Sequence, residues 1–295
     1  MKPVVSYSVI ITAFREEKTI GRAIEAILPQ IDFSKAELWV AAPDEATLKV
    51  AKNYPQVKTL KDEGKGKPAA LNLAVSKAGG EVLVLTDGDV WLGKEALEKI
   101  LAVFKNPKVG LATGQPKPVN KRDSLFGFWA FCLTGAAHQI RLKRSAAGDY
   151  FDGSGYLLVI RKKYWSPVPP SLLTEDVFFS QEVWEKGGKL VYVPQAVVWV
   201  KFPTNFSDWK KQKVRSVGGA AQKRKDLPSM RGFKNELKES LFLLTLPSSF
   251  KEWLWLLLLF LARLYLWLLI FWKLKIRQLP QEKIWLRTES TKMIE

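Results

Sequence analysis

Mainly apolar runs alternate with helix-like stretches along the first hundred residues of this chain. The runs that predict buried strands are 8–12, 37–41 and 82–86, and the stretches with helical spacing are 19–28, 46–53 and 69–77. Strands that alternate with helices favour a mostly parallel sheet with helices packed against it. We therefore predict an α/β fold for this part of the chain.

The second half of the chain carries weaker patterns of the same kind. Residues 157–160, 190–193 and 197–200 are predicted as strands, and residues 205–222 as an amphipathic helix. At 295 residues the chain has room for one large α/β domain or two modest ones. We place the α/β domain in residues 1–235 and a mainly hydrophobic C-terminal region in residues 236–295.

Two carboxylates, Asp87 and Asp89, directly follow the predicted strand 82–86. Ligands of open α/β sheets bind beyond the carboxyl ends of the strands. Two oxygen ligands one residue apart are suited to share Mg²⁺ with a diphosphate. An Asp-Gly turn without a ligand is the alternative. The second acidic pair, Glu175 and Asp176, favours the prediction of a site.

The chain is strongly basic, with a formal net charge of +17. Such a charge predicts an anionic neighbour: nucleic acid, a phosphate-bearing substrate or an acidic lipid surface. Much of it lies in a basic belt that comprises Lys201, Lys210, Lys211, Lys213, Arg215, Lys223, Arg224, Lys225, Arg231, Lys234 and Lys238. An apolar segment, residues 253–272, follows the belt, and this order favours membrane lipids as the partner and disfavours nucleic acid.

The apolar segment has about the length that a helix needs to span a bilayer. Its leucine, isoleucine and phenylalanine residues each favour insertion by roughly 0.3–0.6 kcal/mol, against about 2.5–3.5 kcal/mol for the single Arg263. Insertion is therefore predicted, with a buried helix of a soluble protein as the alternative. Residues 241–246 are too short to span and are predicted to dip into the interface.

The basic belt also predicts an orientation, because basic residues flanking a membrane segment tend to stay in the cytoplasm. We expect the protein to be membrane-associated, with the α/β domain on the cytoplasmic face. Lys273, Lys275 and Arg277 make the far flank of the apolar segment basic too. A re-entrant segment that returns to the cytoplasm is therefore a second possible arrangement.

Cysteine and histidine are scarce. Cys132 is the only cysteine, so a disulfide within the chain and a multi-cysteine metal site are both excluded. His138 is the only histidine, and we predict a hydrogen-bonded structural role for it in preference to metal binding.

Six motifs occur in an order that resembles family 2 glycosyltransferases of the GT-A fold. They are residues 8–17, 66–72, 87–89, 153–161, 174–176 and 212–215. The likeness covers residues 5–222, and residues 192–199 and 212–215 look most like the cellulose, hyaluronan and poly-N-acetylglucosamine synthase branch. It implies a Rossmann-like GT-A domain, here followed by a hydrophobic membrane-associating helix.

The resemblance implies a set of contacts to a nucleotide-sugar donor. The matching positions are Thr12, Ala13, Glu16, Asp44, Lys67, Asp87, Gln212 and Arg215. The chain departs from the family pattern at three positions, since Thr12 replaces a proline, Arg15 an asparagine and Ser216 a tryptophan. The last change removes an aromatic surface that the resembling synthases use near the acceptor.

The resemblance also implies the metal and the catalytic base. Asp89 and Asp87 match the residues that bind Mg²⁺ or Mn²⁺, and Asp176 matches the base, with Glu175 beside it. Capping of the helix predicted for residues 177–185 is the alternative role for Asp176. Residues of the Gly153, Ser154 and Gly155 loop are expected to bind the acceptor.

These roles imply an inverting, metal-dependent glycosyltransferase that moves a sugar from a nucleoside diphosphate, expected to be a UDP-sugar, to a membrane-bound lipid or glycan. One apolar segment cannot by itself enclose a channel for a growing polymer, so transfer of one or a few sugars is favoured. A processive polysaccharide synthase subunit that needs a membrane partner subunit is the first alternative. The second is a non-catalytic basic membrane scaffold.

Overall fold

An eight-stranded mixed sheet forms the centre of the structure, with the strand order β3-β2-β1-β4-β7-β6-β8-β5. The computed structural model describes residues 6–170, 172, 174–220, 240–271 and 289–292. The strands are β1 (Tyr7–Thr12), β2 (Ala36–Ala42), β3 (Val57–Lys61), β4 (Val82–Asp87), β5 (Val90–Leu92), β6 (Val109–Pro118), β7 (Leu157–Arg161) and β8 (Lys189–Val200).

The direction of the strands agrees with the predicted mostly parallel sheet. Strands β1 to β4 are mutually parallel where they pair. Strand β7 is antiparallel to both β4 and β6, and β5 is antiparallel to β8, whereas β6 and β8 are parallel. Only β5 and β7 therefore oppose the other described strands, and the carboxyl ends of β1, β2 and β4 lie along one edge.

Helices cover both faces of the sheet. They are α1 (Ile20–Ile27), α2 (Glu45–Ala51), α3 (Lys67–Lys77), α4 (Ala96–Ala102), α5 (Leu125–Ala147), α6 (Glu175–Glu185), α7 (Phe206–Ala220) and α8 (Phe250–Phe271). Because neighbouring residues of a strand point to opposite faces, Val9 and Ile11 join one core with α1, α2 and α4, while Ile10 joins a second core with α3 and α6. Both faces of the sheet are thus covered by buried apolar side chains.

A third hydrophobic cluster attaches α8 to the domain. Its buried residues come from α5, α7, α8 and the short 3-10 helix Ser240–Thr245, and they include Trp129, Trp209 and Leu259. The indole Nε1 of Trp129 donates to the carbonyl of Trp255 at 2.8 Å. Arg122 forms a bidentate ion pair with Glu252 of α8, with both nitrogen–oxygen distances at 2.8 Å.

Within the described part of the chain, α8 is the one helix long and apolar enough to cross a membrane, over Phe250–Leu269. The helix packs on the domain along one side only. Its other side leaves Leu257, Leu261 and Leu268 more than half exposed. The predicted C-terminal hydrophobic helix is therefore present. The predicted boundary near residue 235 lies outside the described residues.

Strand β8 differs from the prediction of two separate strands at 190–193 and 197–200, which is wrong in this respect. The two halves run on as one strand, because the β6–β8 register shifts between Gly114 and Gln115 and leaves residues 194–196 outside the pairing with β6. Pro194 is tolerated there, since it lacks the N–H that a regular ladder requires.

Candidate active site

The carboxyl ends of β1 and β4 bring the first site residues together. Thr12 and Asp87 are paired across the two parallel strands, and the Thr12 hydroxyl donates to Asp87 Oδ1 at 3.4 Å. Each strand ends at this point, so the loops that follow place Glu16 and Asp89 over the same edge. The predicted position of the Asp pair, just past a buried strand, is where the structure has it.

Lys67 joins the two acidic pairs, although they are far apart in sequence. It opens α3, after Gly66 at φ 93°, and its ammonium lies 2.6 Å from Asp87 Oδ1 and in direct contact with Glu175 Oε1. Burial alone would raise the pKa of Glu175, but the charge of Lys67 outweighs it and holds that pKa below its ordinary value. Burial raises the pKa of Asp87, against the opposing effect of Lys67. Lys67 is therefore a cation held between the two acidic pairs.

Glu16 is the most deeply buried carboxylate of the group, with 6% of its surface exposed. Burial, together with the charge of Asp89, raises the pKa of Glu16 to about 8. Its Oε2 atom is buried and has no hydrogen-bond partner among the described residues. The Oε1 atom contacts the ammonium of Lys292, which also lies 2.6 Å from Asp89 Oδ2.

Gly88 allows these carboxylates to lie so close together. A Cβ atom at this position would collide with Glu16 Oε2 and stand 2.8 Å from Ala13 Cβ. The residue between the two aspartates must therefore be small for a steric reason as well as for its turn.

We expect Gly88→Ala to destabilise the protein by roughly 1–3 kcal/mol, the usual result of overpacking. The matched control is Gly79→Ala, whose Cβ would have an ordinary contact at 3.7 Å. Thermal unfolding measures the effect. Equal stability of both variants would show that the Gly88 backbone is not held against Glu16.

Asp176 lies in the first turn of α6 and lines the same cavity as Asp87, Asp89 and Lys67. The helix cap is Thr174, whose side chain makes no capping hydrogen bond, while Asp176 Oδ1 accepts from Val177 N at 3.0 Å. The carboxylate thus contacts the helix start and also faces the cavity. The alternative prediction, that Asp176 caps the helix, is wrong, because Thr174 is the N-cap and Asp176 lies inside α6. The role of Asp176 as the base stays a prediction.

The predicted acceptor loop is held in place through its backbone. Arg141 of α5 donates to the carbonyls of Asp152 and Gly153, both at 3.0 Å, and Gly153 N donates to Ser180 Oγ at 2.9 Å. Ser154 and Gly155 line the cavity, and a Cβ on Gly155 would lie 3.2 Å from Glu175 Oε1. Gly153 does not line the cavity, and its hydrogen bond to Ser180 holds the loop from behind.

Helix α7 supplies Gln212 and Arg215, which both line the cavity. Their i, i+3 spacing predicted that they share one face of a helix. Gln212 Nε2 is 3.3 Å from the hydroxyl of Tyr156. Burial and the nearby charge of Asp89 raise the pKa of the partly buried Tyr156. Tyr156 was not among the predicted residues, because a lone tyrosine beside a glycine-rich loop carries no distinctive pattern.

Asp44 has a structural role in this fold. Its two carboxylate oxygens accept from Thr47 N at 2.9 Å, as the N-cap of α2, and from Arg15 N at 2.8 Å. The neighbouring Pro43 lines the cavity, as do Thr12 and Ala13, and so does Asp62, a buried carboxylate that sequence patterns did not identify.

One cavity of about 1210 Å³ is lined by most of these groups, though not by Asp44 or Gly153, and continues into an apolar part. The polar part holds the two acidic pairs, Lys67 and Arg215. The apolar part is walled by α5, the short 3-10 helix Ser240–Thr245 and α8, through Phe126, Leu133, Ile140, Leu241, Leu244, Phe260, Leu264 and Trp267. Such a cavity suits a molecule with a charged end and an apolar end.

The acidic groups fit a divalent cation that is coordinated partly by the protein and partly by substrate oxygens. Within the described ranges, no three His, Cys, Asp or Glu side chains form a complete metal cluster. Asp87 and Asp89 offer hard oxygen ligands, and the buried Oε2 atom of Glu16 beside them has no hydrogen-bond partner among the described residues. Mg²⁺ is commonly held by one or two carboxylates plus substrate phosphates. His138 is engaged elsewhere, 2.8 Å from the Tyr192 hydroxyl, as its structural role predicted.

The chain is similar to a known protein family and to curated proteins. The profile of the family described as "Glycosyltransferase like family 2" matches residues 3–219. The poly-β-1,6-N-acetyl-D-glucosamine synthase of Staphylococcus aureus strain COL is 24% identical over 223 residues, which cover 71% of this chain and 53% of that protein. The chain therefore spans about half the length of the curated relatives that it matches.

Two solved structures are similar over most of the chain. One is a mannosyltransferase from Pyrobaculum calidifontis in complex with GDP-Man and Mn²⁺, with TM-score 0.62 and 18% identity, covering 96% of this chain and 79% of that one. The other is glucosyl-3-phosphoglycerate synthase from Mycobacterium tuberculosis with Mn²⁺ and UDP-Glc, with TM-score 0.52 and 12% identity, covering 75% of this chain and 81% of that one. At these identities the likeness concerns the fold, and it confirms the predicted GT-A architecture.

Proposed function

The chain belongs to Glycosyltransferase like family 2, and we propose that it transfers a sugar from a nucleoside-diphosphate donor, a UDP-sugar, to a membrane-bound lipid or glycan. The proposal rests on one observation above all: Lys67 holds Asp87 and Glu175, from two distant acidic pairs, around a single cavity. A site that combines these carboxylates with Lys67 and Arg215 suits a sugar diphosphate and an attacking hydroxyl.

The donor end is assigned to the first acidic pair and its neighbours. Asp89 and Asp87 would hold Mg²⁺ or Mn²⁺, which supplies Lewis-acid stabilisation of the negative charge on the departing diphosphate. Mn²⁺ accompanies a nucleotide sugar in both solved structures described above, which supports this choice of metals. Lys67 and Arg215 orient and neutralise the diphosphate, and an arginine is suited to do so through two hydrogen bonds.

The acceptor end is assigned to Asp176 and the loop at Ser154 and Gly155. Asp176 takes the proton of the attacking hydroxyl, which has too high a pKa to ionise unaided. Glu175 is a poorer base, because its ion pair with Lys67 lowers its pKa. A single base opposite the departing diphosphate gives direct displacement, and therefore inversion at the anomeric carbon.

The apolar part of the cavity supports a membrane-bound acceptor. Helix α8 contributes to its wall with Phe260 and Leu264, and it leaves Leu257, Leu261 and Leu268 exposed. An amphiphilic acceptor would place its sugar-accepting end near Asp176 and its apolar portion against α8. We propose that residues 1–235 form the catalytic domain on the cytoplasmic face and that residues 236–295 associate with the membrane.

We expect the full-length protein to sediment with membranes and to leave them when Leu257, Leu261 and Leu268 are all changed to lysine. Each lysine opposes insertion by roughly 2.5–3.5 kcal/mol near the centre of a membrane helix. The matched control replaces the same three leucines with isoleucine. Fractionation without detergent at low salt measures the outcome. Recovery of the unmodified protein in the soluble fraction would contradict membrane association.

A processive polysaccharide synthase is the second candidate, and the name of the S. aureus relative favours it. A polymer needs a path across the membrane, so this alternative requires a membrane partner subunit. Ser216 lines the cavity where the resembling synthases have tryptophan, which favours short products. Product length, measured by mass spectrometry after incubation with UDP-sugars, distinguishes the two, and absence of any metal-dependent transfer would instead favour a non-catalytic scaffold.

A further inference from the structure

A short C-terminal segment, residues 289–292, lies in the proposed donor site. The backbone amides of Glu289 and Ser290 donate to Asp208 Oδ2 at 3.1 and 2.9 Å, and Thr204 N donates to the Ser290 hydroxyl at 3.3 Å. Thr291 is buried. These contacts fix the segment to the start of α7 and direct Lys292 inward.

Lys292 ends in the acidic pocket that the function assigns to a metal. Its ammonium lies 2.6 Å from Asp89 Oδ2 and contacts Glu16 Oε1, and its side chain is 19% exposed. Thr291 and Lys292 line the same cavity as Asp87 and Lys67. The segment therefore covers the pocket and also places a positive charge in it.

The pocket requires such a charge. Glu16, Asp87 and Asp89 converge there, and Lys67 is already shared between Asp87 and Glu175. A buried carboxylate without a nearby cation is unfavourable and is normally paired or protonated. Lys292 meets this requirement when no metal is present, whereas a second cation on the same Asp89 and Glu16 oxygens would meet like-charge repulsion at close range.

We propose that Lys292 is a built-in counter-cation that keeps residues 289–292 docked over the donor site and that a divalent cation bound with a nucleoside diphosphate displaces it. The inference rests on the proposed function in one respect, that a metal binds at Asp89. The docked segment and the metal–nucleotide complex are thus alternative occupants of one pocket. Binding of donor and release of the C-terminal segment are consequently a single event.

Competition sets the size of the expected effect. The apparent dissociation constant of a ligand rises in inverse proportion to the fraction of protein that is competent to bind it. If the segment is docked in about nine molecules of ten, its release improves the apparent affinity for Mn²⁺ and UDP about tenfold. The conservative variant Lys292→Arg keeps the charge and should behave like the unmodified protein.

The first measurement needs no ligand and no turnover. Hydrogen–deuterium exchange of the Glu289 and Ser290 amides is followed in the full-length protein in detergent micelles. We expect slow exchange in the unmodified protein, in Lys292→Arg and in the control Lys105→Met, an exposed lysine on the domain surface. Lys292→Met should exchange at least several-fold faster. Equal protection in Lys292→Met would overturn the inference, because Lys292 would then not hold the segment.

The second measurement adds Mn²⁺ and UDP as the probe. We expect the mixture to speed exchange of these amides in the unmodified protein and calorimetry to show about tenfold tighter binding by Lys292→Met than by Lys105→Met. Unchanged affinity of Lys292→Met for Mn²⁺ and UDP would overturn the proposed competition alone. Weaker affinity of this variant would show that Lys292 holds the donor instead. If none of the proteins binds the probe while the segment is protected, both the competition and the proposed UDP-dependent function are wrong.

Discussion

Asp176→Asn is expected to lower the rate of sugar transfer by about 10²–10⁴-fold, the usual contribution of a general base, with little change in donor binding. The amide is nearly the same size as the carboxylate, but it cannot accept the proton of the attacking hydroxyl. Asp176 faces the cavity from the first turn of α6, and its neighbour Glu175 is committed to Lys67. Turnover of UDP-sugars and calorimetry with UDP and Mn²⁺ measure the two quantities separately.

Glu185→Gln is the control for this variant, because it makes the same chemical change at an exposed position of α6. Its transfer rate should match that of the unmodified protein. A rate above about one tenth of normal in Asp176→Asn would contradict general-base catalysis by this residue. Lost UDP binding in Asp176→Asn, with normal binding in the control, would instead assign Asp176 to the donor.

Asp89→Asn is expected to abolish transfer and to weaken Mn²⁺-dependent UDP binding by more than about 10–100-fold, the loss usual for groups that only support a metal ligand. The reason is that Asp89 offers a hard anionic oxygen at the end of the β4 loop, whereas an amide oxygen is a poorer ligand for a divalent cation. Calorimetry with UDP is performed in Mn²⁺ and again in a chelator.

In the chelator, Asp89→Asn and the unmodified protein should bind UDP equally weakly, since the difference depends on the metal. Asp123→Asn, at an exposed position before α5, provides the control. Equal UDP affinity of Asp89→Asn and Asp123→Asn in Mn²⁺, with equal transfer, would show that Asp89 is not a metal ligand.

Sequence patterns predicted the elements whose environment is simple. Strands β1, β2 and β4 lie in the middle of the sheet, so their buried runs are mainly apolar and end where the site begins. The Asp pair was predicted for the same reason, because a polar residue directly after such a run stands at the sheet edge. Lys67 was assigned through the family resemblance, and the structure shows the ion pairs that position it.

Other features depend on tertiary contacts that no local pattern carries. Helix α5 was not predicted from the sequence. It packs against the domain and α8 and also lines the cavity, so its sequence shows no single apolar face. Strand β8 was split in the prediction because Pro194 resembles a break. Lys292 contacts Asp89 across 203 positions of sequence, so its role depends on how the chain folds back.

The attachment of α8 to α5 has a mechanical consequence. Near one end of α5, Trp129 donates a hydrogen bond to the backbone of α8. About 18 Å further along the axis, Arg141 donates to the carbonyls of the loop that is proposed to bind the acceptor. A helix in a bilayer thinner than its apolar length relieves the mismatch by tilting. If α8 spans a bilayer as proposed, α5 connects its tilt to the position of this loop. The proposal then implies that membrane thickness affects how well the acceptor is aligned.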